Sequence, residues 1–200
     1  MAIELTRFLQ VMAGRKASDL FFSVGATPHI KIDGETYHLD GEPLTAENLH
    51  DLAYSIMSDR QQREFEATME MNLALGLSGT GRFRVNVYRQ RGHVALAVRF
   101  ITGEIPSIEA LNLPPILHDL IMLPRGLILM VGATGSGKST TLASMIDYRN
   151  ARKTGHMLTV EEPIEYLHSH KQSMVDQREV GLDTMSYAAA LKNAMRQAPD

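Results

Sequence analysis

Cysteine is absent from the 200 residues, so no disulfide is available to the fold, in keeping with a cytosolic setting. No apolar run approaches the roughly 18 residues of a membrane-spanning helix. Residues 1–10 carry Glu4 and Arg7 where a signal peptide would have its apolar core. The expectation is a cytoplasmic protein that meets a membrane only through partners. Excess charge is lacking too: 20 Lys and Arg against 23 Asp and Glu give a net charge of −3, which exerts no general pull toward nucleic acid. There is no internal repeat and no low-complexity tract. Hydrophobic residues at 44% and charged residues at 22% place the chain among globular rather than disordered proteins. Its length suits one large domain or two small ones.

What is present is a glycine-rich stretch, Gly132-Ala133-Thr134-Gly135-Ser136-Gly137-Lys138-Ser139-Thr140. It fits the phosphate-loop pattern G-x-x-x-x-G-K-[ST] without departure. The apolar run 126–131 before it has the length of a strand. Residues 141–148 after it read as a helix, with Leu142, Met145 and Ile146 on one face. The residue types carry the chemistry. Glycines without a Cβ let backbone N–H groups wrap an anion, and the helix N-terminus adds positive potential. Lys138 reaches the β- and γ-phosphates, and the Ser139 hydroxyl is placed to ligate Mg²⁺.

The rest of the chain is read in order. Residues 3–12 form a helix with Leu5, Phe8, Leu9 and Met12 as its stripe. Strands are expected over 19–23, 29–32 and 35–39, the last two joined by an Asp33-Gly34 hairpin turn. Thr45 introduces a second helix, and Ser58 with Gln61 forms a capping box for a third. Residues 69–77 return to strand. Over 82–88 the chain alternates, with Phe83, Val85 and Val87 on one face and Arg82, Arg84 and Asn86 on the other. A turn at Arg91-Gly92 leads to a strand with Val94, Leu96, Val98 and Phe100 inward and Arg99 opposite. A solvated outer face explains these arginines as they stand. Residues 102–115, rich in proline, read as a linker between domains at 1–101 and 116–200. A short helix follows from Ile116. Strands are expected over 156–160 and 172–175, and a last helix starts at Asp183-Thr184 with Tyr187, Leu191, Ala194 and Met195 on one face.

The strand 156–160 ends at Glu161-Glu162. Ligand groups collect at such strand ends beside a phosphate loop, and a carboxylate there can orient or deprotonate an attacking water. An acidic solvated loop reads the same way from sequence alone. His168 and His170 stand two apart, as on one strand face, but no third ligand is near enough in sequence to suggest a metal site.

Residues 132–140, Leu158-Thr159-Val160-Glu161-Glu162-Pro163-Ile164-Glu165-Tyr166 and Asp176-Gln177-Arg178-Glu179-Val180-Gly181 together resemble the secretion ATPase superfamily. Ser18-Asp19-Leu20, Arg82-Phe83-Arg84-Val85-Asn86 and Gln90-Arg91-Gly92 extend the match over essentially the whole chain. The similarity is greatest to the type IV pilus retraction ATPases, the PilT and PilU group. Tyr148-Arg149-Asn150, Thr154-Gly155-His156, Gly181-Leu182-Asp183-Thr184 and Leu191-Lys192-Asn193 look more like the PilU branch.

The resemblance implies an α/β protein with a PAS-like α+β N-terminal domain and a RecA-like P-loop ATPase core. It implies a hexameric ring with ATP and Mg²⁺ bound between the two domains. Glu161 matches the catalytic glutamate of the acidic box. Glu162 stands where the family has aspartate and is given a supporting role. Arg82, Arg84, Arg91 and Arg99 match positions that supply phosphate-contacting arginines. The family continues past residue 200 into the Walker B strand and a histidine box. The expectation is therefore a core cut short of that strand and inactive by itself. The implied activity is ATP hydrolysis that drives or assists pilus retraction and twitching motility. The implied partners are further copies of the chain, a PilT-like motor and a platform protein of the inner membrane. An assembly or secretion ATPase, or a slowly hydrolysing nucleotide-binding adaptor, is the alternative.

Overall fold

The computed structural model describes residues 4–101 and 103–200, so Ile3 and the first residue of the linker reading lie outside the described residues. The chain divides into two compact units, 1–101 and 102–200.

The first unit is built on an antiparallel six-stranded sheet. Its elements are α1 (Leu5–Gly14), β1 (Asp19–Phe22), β2 (His29–Ile32), β3 (Glu35–His38), α2 (Ala46–Ser55), α3 (Asp59–Thr68), β4 (Glu70–Leu77), β5 (Gly81–Gln90) and β6 (His93–Ile101), with the strands ordered β3-β2-β1-β6-β5-β4. Local chemistry explains the turns. Asp33 and Gly34 take φ of 49° and 89°, and Arg91 and Gly92 take 52° and 80°. Two successive positive φ values are what a tight two-residue hairpin requires. Both α2 and α3 begin with reciprocal capping boxes, Thr45 with Asn48 and Ser58 with Gln61.

Alternation decides what is buried. Phe83, Val85 and Val87 of β5 are fully buried, as are Leu96 of β6 and Leu20 and Phe22 of β1. They form one core with Leu9 and Met12 of α1 and Leu49, Leu52 and Phe65 of α2 and α3. Phe83 meets Phe100 with ring centroids 5.1 Å apart. At Gly81, φ is 141° and a Cβ would come within 2.6 Å of the Phe100 ring. Glycine there is what lets β5 start beneath that ring.

The second unit contains α4 (Ile116–Met122), α5 (Lys138–Asn150), β7 (Gly155–Glu161), β8 (Ser173–Glu179) and α6 (Tyr187–Ala194). β7 and β8 pair in parallel. α5 is fixed by side chains that answer backbone groups. Ser144 Oγ donates to Pro106 O at 2.7 Å, Arg149 donates to Ile121 O at 2.9 Å, and Asn150 Nδ2 donates to Ser169 O at 2.7 Å. Ile108, in the stretch read as linker, is buried.

Three sequence expectations are corrected here. The apolar run 126–131 is not a strand: it joins no ladder among the described residues, and Leu127, Leu129 and Val131 are exposed. Apolar character sets strand propensity, but a strand exists only where a neighbour takes its hydrogen bonds. α6 starts after Ser186, whose hydroxyl accepts from Ala189 N, and not at Asp183-Thr184. Asp183 is committed elsewhere, its carboxylate accepting from Glu179 N at 2.8 Å, while Gly181 N donates to Thr184 O. The expected apolar faces also shift. On α5 Leu142 is half-exposed and Met145 buried, and on α6 Tyr187, Leu191 and Met195 are exposed while Ala190 is buried.

Candidate functional site

The glycine loop turns sharply before α5. Ser136 N donates to Ala133 O at 3.2 Å, and Gly135 and Gly137 take φ of 77° and 85°. Gly137 is the N-cap of α5, so the helix opens inside the loop, with Lys138 as its first residue. A Cβ on Gly132 would stand 2.7 Å from Ser136 Oγ, so a side chain there would force the serine hydroxyl to turn away. Lys138 Nζ donates to the carbonyls of Gly132 and Ala133 at 2.9 and 2.7 Å. Its ammonium thus lies across the mouth of its own loop.

Beside the loop is a cavity of 470 Å³ whose lining includes Ser139, Glu161, Glu162, Glu165, Tyr166 and His168. The phosphate-loop serine and the acidic stretch, distant in sequence, therefore share one space. Parallel pairing of β7 and β8 sets the geometry of the acidic side. Thr159 lies opposite Gln177, and Glu161 lies opposite Glu179. Glu161 Oε1 accepts from Thr159 Oγ1 at 2.7 Å and from Gln177 Nε2 at 3.0 Å. Gln177 Nε2 also donates to Tyr166 O at 2.9 Å, and its Oε1 accepts from His168 N at 2.8 Å. The Tyr166 hydroxyl in turn stands 3.0 Å from Thr140 Oγ1 in the phosphate loop.

Thr159, Tyr166 and Gln177 lie in the stretches that carry the family resemblance, but the sequence reading gives them no role. The spacing signal for a shared site is the two-residue step from Thr159 to Glu161, which puts them on one strand face. Gln177 joins them through strand pairing, which a linear reading does not supply.

His168 and His170 lie outside the strands, in the segment before β8, which corrects the reading of a shared strand face. Burial pushes the His168 pKa down, with Asp147 and Glu161 opposing the shift. Its Nδ1 is buried and finds no hydrogen-bond partner among the described residues. No cluster of three or more His, Asp or Glu able to hold a metal occurs among the described residues. A Mg²⁺ held mainly by phosphate oxygens needs no such cluster. The Ser139 hydroxyl, in the same cavity as the carboxylates, is the donor that fits it.

The four arginines belong to the first unit. Arg82 and Arg84 are on β5, Arg91 is in the tight turn, and Arg99 is on β6 opposite both Arg84 and Asp19. Arg99 Nε donates to Asp19 Oδ1 at 2.8 Å, and the Asp19 carboxylate is nearly buried.

Comparison with known proteins adds the following. The family described as Type II/IV secretion system protein matches residues 97–200. The type IV pilus ATPase PilU of Pseudomonas aeruginosa is 45% identical over 198 residues, which is 99% of this chain and 52% of that protein. The type IV pilus retraction ATPase PilT of the same organism is 40% identical, over 99% of this chain and 58% of its own length. A crystal structure of the pilus retraction motor PilT with bound ADP superposes with a TM-score of 0.91 at 45% identity, covering 99% of this chain and 58% of that one. The chain thus spans somewhat more than half the length of each of these relatives.

Proposed function

This chain belongs to the type II/IV secretion system protein family, and from that premise we propose that it works as an ATP-hydrolysing motor that drives or assists type IV pilus retraction. The observation that carries the reading is the phosphate loop 132–140 opening into α5, with Ser139 and Glu161 lining one cavity.

In this reading the loop backbone and the N-terminus of α5 hold the ATP phosphates. Lys138 leaves the carbonyls of Gly132 and Ala133 for the β- and γ-phosphate oxygens. Ser139 would hold a Mg²⁺ brought in with the nucleotide, and the ion would supply neutralisation of the charge that moves onto the leaving group. Glu161 accepts the proton of the attacking water as the bond from the γ-phosphorus to the bridging oxygen breaks, giving ADP and phosphate. Glu162 and Glu165 add negative charge to the same wall. The first unit is read as a PAS-like domain and the second as a RecA-like core, joined by a linker over 102–115. Arg82, Arg84, Arg91 and Arg99 are the proposed source of phosphate-contacting guanidinium groups. Planar donors of this kind bind two phosphate oxygens at once.

Further parts of the proposal are a hexameric ring, a cytoplasmic location at the inner membrane through a platform protein, and cooperation with a PilT-like motor. The PilU and PilT names of the relatives support the link to the type IV pilus. The test is steady-state phosphate release by the full-length protein, alone and with a PilT-like partner, with Lys138→Ala as the control. Turnover that Lys138→Ala abolishes is expected. Nucleotide binding without turnover in either setting would replace the motor reading with that of an adaptor.

A further inference from the structure

We propose that Gln177, with Thr159, is a positioning residue for hydrolysis: the two hold one oxygen of Glu161 so that the other is presented to the cavity. The inference rests on the reading of Glu161 as the residue that activates water. Glu161 Oε1 takes both donors, Thr159 Oγ1 at 2.7 Å and Gln177 Nε2 at 3.0 Å. A carboxylate with one oxygen fixed from two directions has little freedom to rotate, and the second oxygen keeps its lone pairs for water.

Gln177 is suited to this by having both amide hydrogens and its carbonyl oxygen engaged. One Nε2 hydrogen goes to Glu161 and the other to Tyr166 O, while Oε1 accepts from the backbone of His168. The amide therefore cannot turn over without losing three contacts, so its orientation is set. The same side chain reaches the phosphate loop at one remove, because the Tyr166 hydroxyl stands 3.0 Å from Thr140 Oγ1. Tyr166 is thus held at both ends, its hydroxyl by Thr140 of the phosphate loop and its main-chain carbonyl by the Gln177 amide that also holds Glu161. The arrangement depends on register. Thr159 and Gln177 are directly paired in the β7–β8 ladder, and Glu161 lies two residues on, on the same face. A misplacement of about 1 Å in such a group costs on the order of 100-fold in rate.

The experiment is a double-mutant cycle on ATP turnover, with kcat, KM and ADP affinity measured for each variant of the protein. Gln177→Leu is expected to lower kcat roughly 10- to 100-fold with KM and ADP affinity changed less than about twofold. Thr159→Val, which keeps shape and removes one donor, is expected to lower kcat several-fold, and Thr159→Ser to restore it. On a Glu161→Gln background, Gln177→Leu is expected to add less than about twofold, since its effect is exerted through the carboxylate. A full, additive loss on that background would make Gln177 merely structural and overturn the proposal. So would a wild-type kcat in Gln177→Leu beside an inactive Glu161→Gln. Wild-type kcat in Glu161→Gln itself would instead remove the underlying reading of Glu161. Should Gln177→Leu fail to fold, the Thr159→Val and Thr159→Ser pair decides. A kcat equal in the two variants would count against the proposal.

Discussion

The hydroxyl of Tyr166 stands 3.0 Å from Oγ1 of Thr140, joining the loop after β7 to the last residue of the phosphate loop. Removing that hydroxyl leaves the ring in place and costs one hydrogen bond, about 0.5–1.5 kcal/mol. Tyr166→Phe is therefore expected to weaken ADP binding by roughly two- to tenfold, because the loop loses a strut that holds its bound form. An ADP titration of the variant checks this. Unchanged affinity would show that the loop is set by its own backbone alone.

The arginines of the first unit divide into two kinds. Arg99 answers the nearly buried carboxylate of Asp19, whereas Arg84 lies between Ala74 and Arg99 in register. Arg99→Ala leaves Asp19 with the Ser18 hydroxyl as a hydrogen-bond donor. It is expected to cost about 1 kcal/mol, seen as a Tm lower by several degrees. Arg84→Ala is expected to change stability by less than about 0.5 kcal/mol. Thermal melts of both variants give the comparison, and equal Tm values would mean that the Arg99–Asp19 pair contributes nothing net.

Two histidines give the stability opposite pH dependences. His156 Nδ1 and Nε2 each face an acceptor, Gln197 O and the Asp176 carboxylate, both at 2.9 Å. The bond to Asp176 raises its pKa, so its contribution is full below the ordinary value near 6.5 and is lost as pH rises through the raised one. His168 is the reverse case. Burial lowers its pKa, so the unfolded chain takes up a proton first and stability falls as pH drops below about 6.5. Urea denaturation between acid and mildly alkaline pH separates the two. Relative to wild type, Asp176→Asn is expected to lose more stability at acid than at alkaline pH. His168→Asn is expected to gain relative stability as the pH falls.

The core of the first unit rests on aromatic packing. Phe83 is fully buried and its ring meets that of Phe100. Phe83→Ala is expected to cost about 3–5 kcal/mol through lost transfer energy and the cavity it leaves. Denaturant titration measures this, and a loss below about 1 kcal/mol would mean the sheet repacks around the gap.

What could be read in the sequence was what is local. The hairpin turns at Asp33-Gly34 and Arg91-Gly92, the Ser58 capping box, and the inward set Phe83, Val85 and Val87 each depend on neighbours a few residues away. The phosphate loop is of the same kind, since one unbroken motif carries its chemistry. The failures are non-local or competitive. Residues 126–131 have the composition of a strand, but composition cannot provide a pairing partner. Asp183-Thr184 has the chemistry of a helix start, yet Asp183 is already taken by Glu179 N, and Ser186 caps the helix. The link from Gln177 to Glu161 and the pairing of Arg99 with Asp19 both run between strands, where spacing along the chain carries no information.

The most direct test of the central claim is ATP affinity measured together with turnover for Glu161→Gln. The amide is nearly isosteric with the carboxylate but is a poor base. The account predicts ATP affinity within about twofold of wild type and turnover lower by about 10²–10⁴-fold. Wild-type turnover, or a loss of affinity as large as the loss of rate, would contradict it.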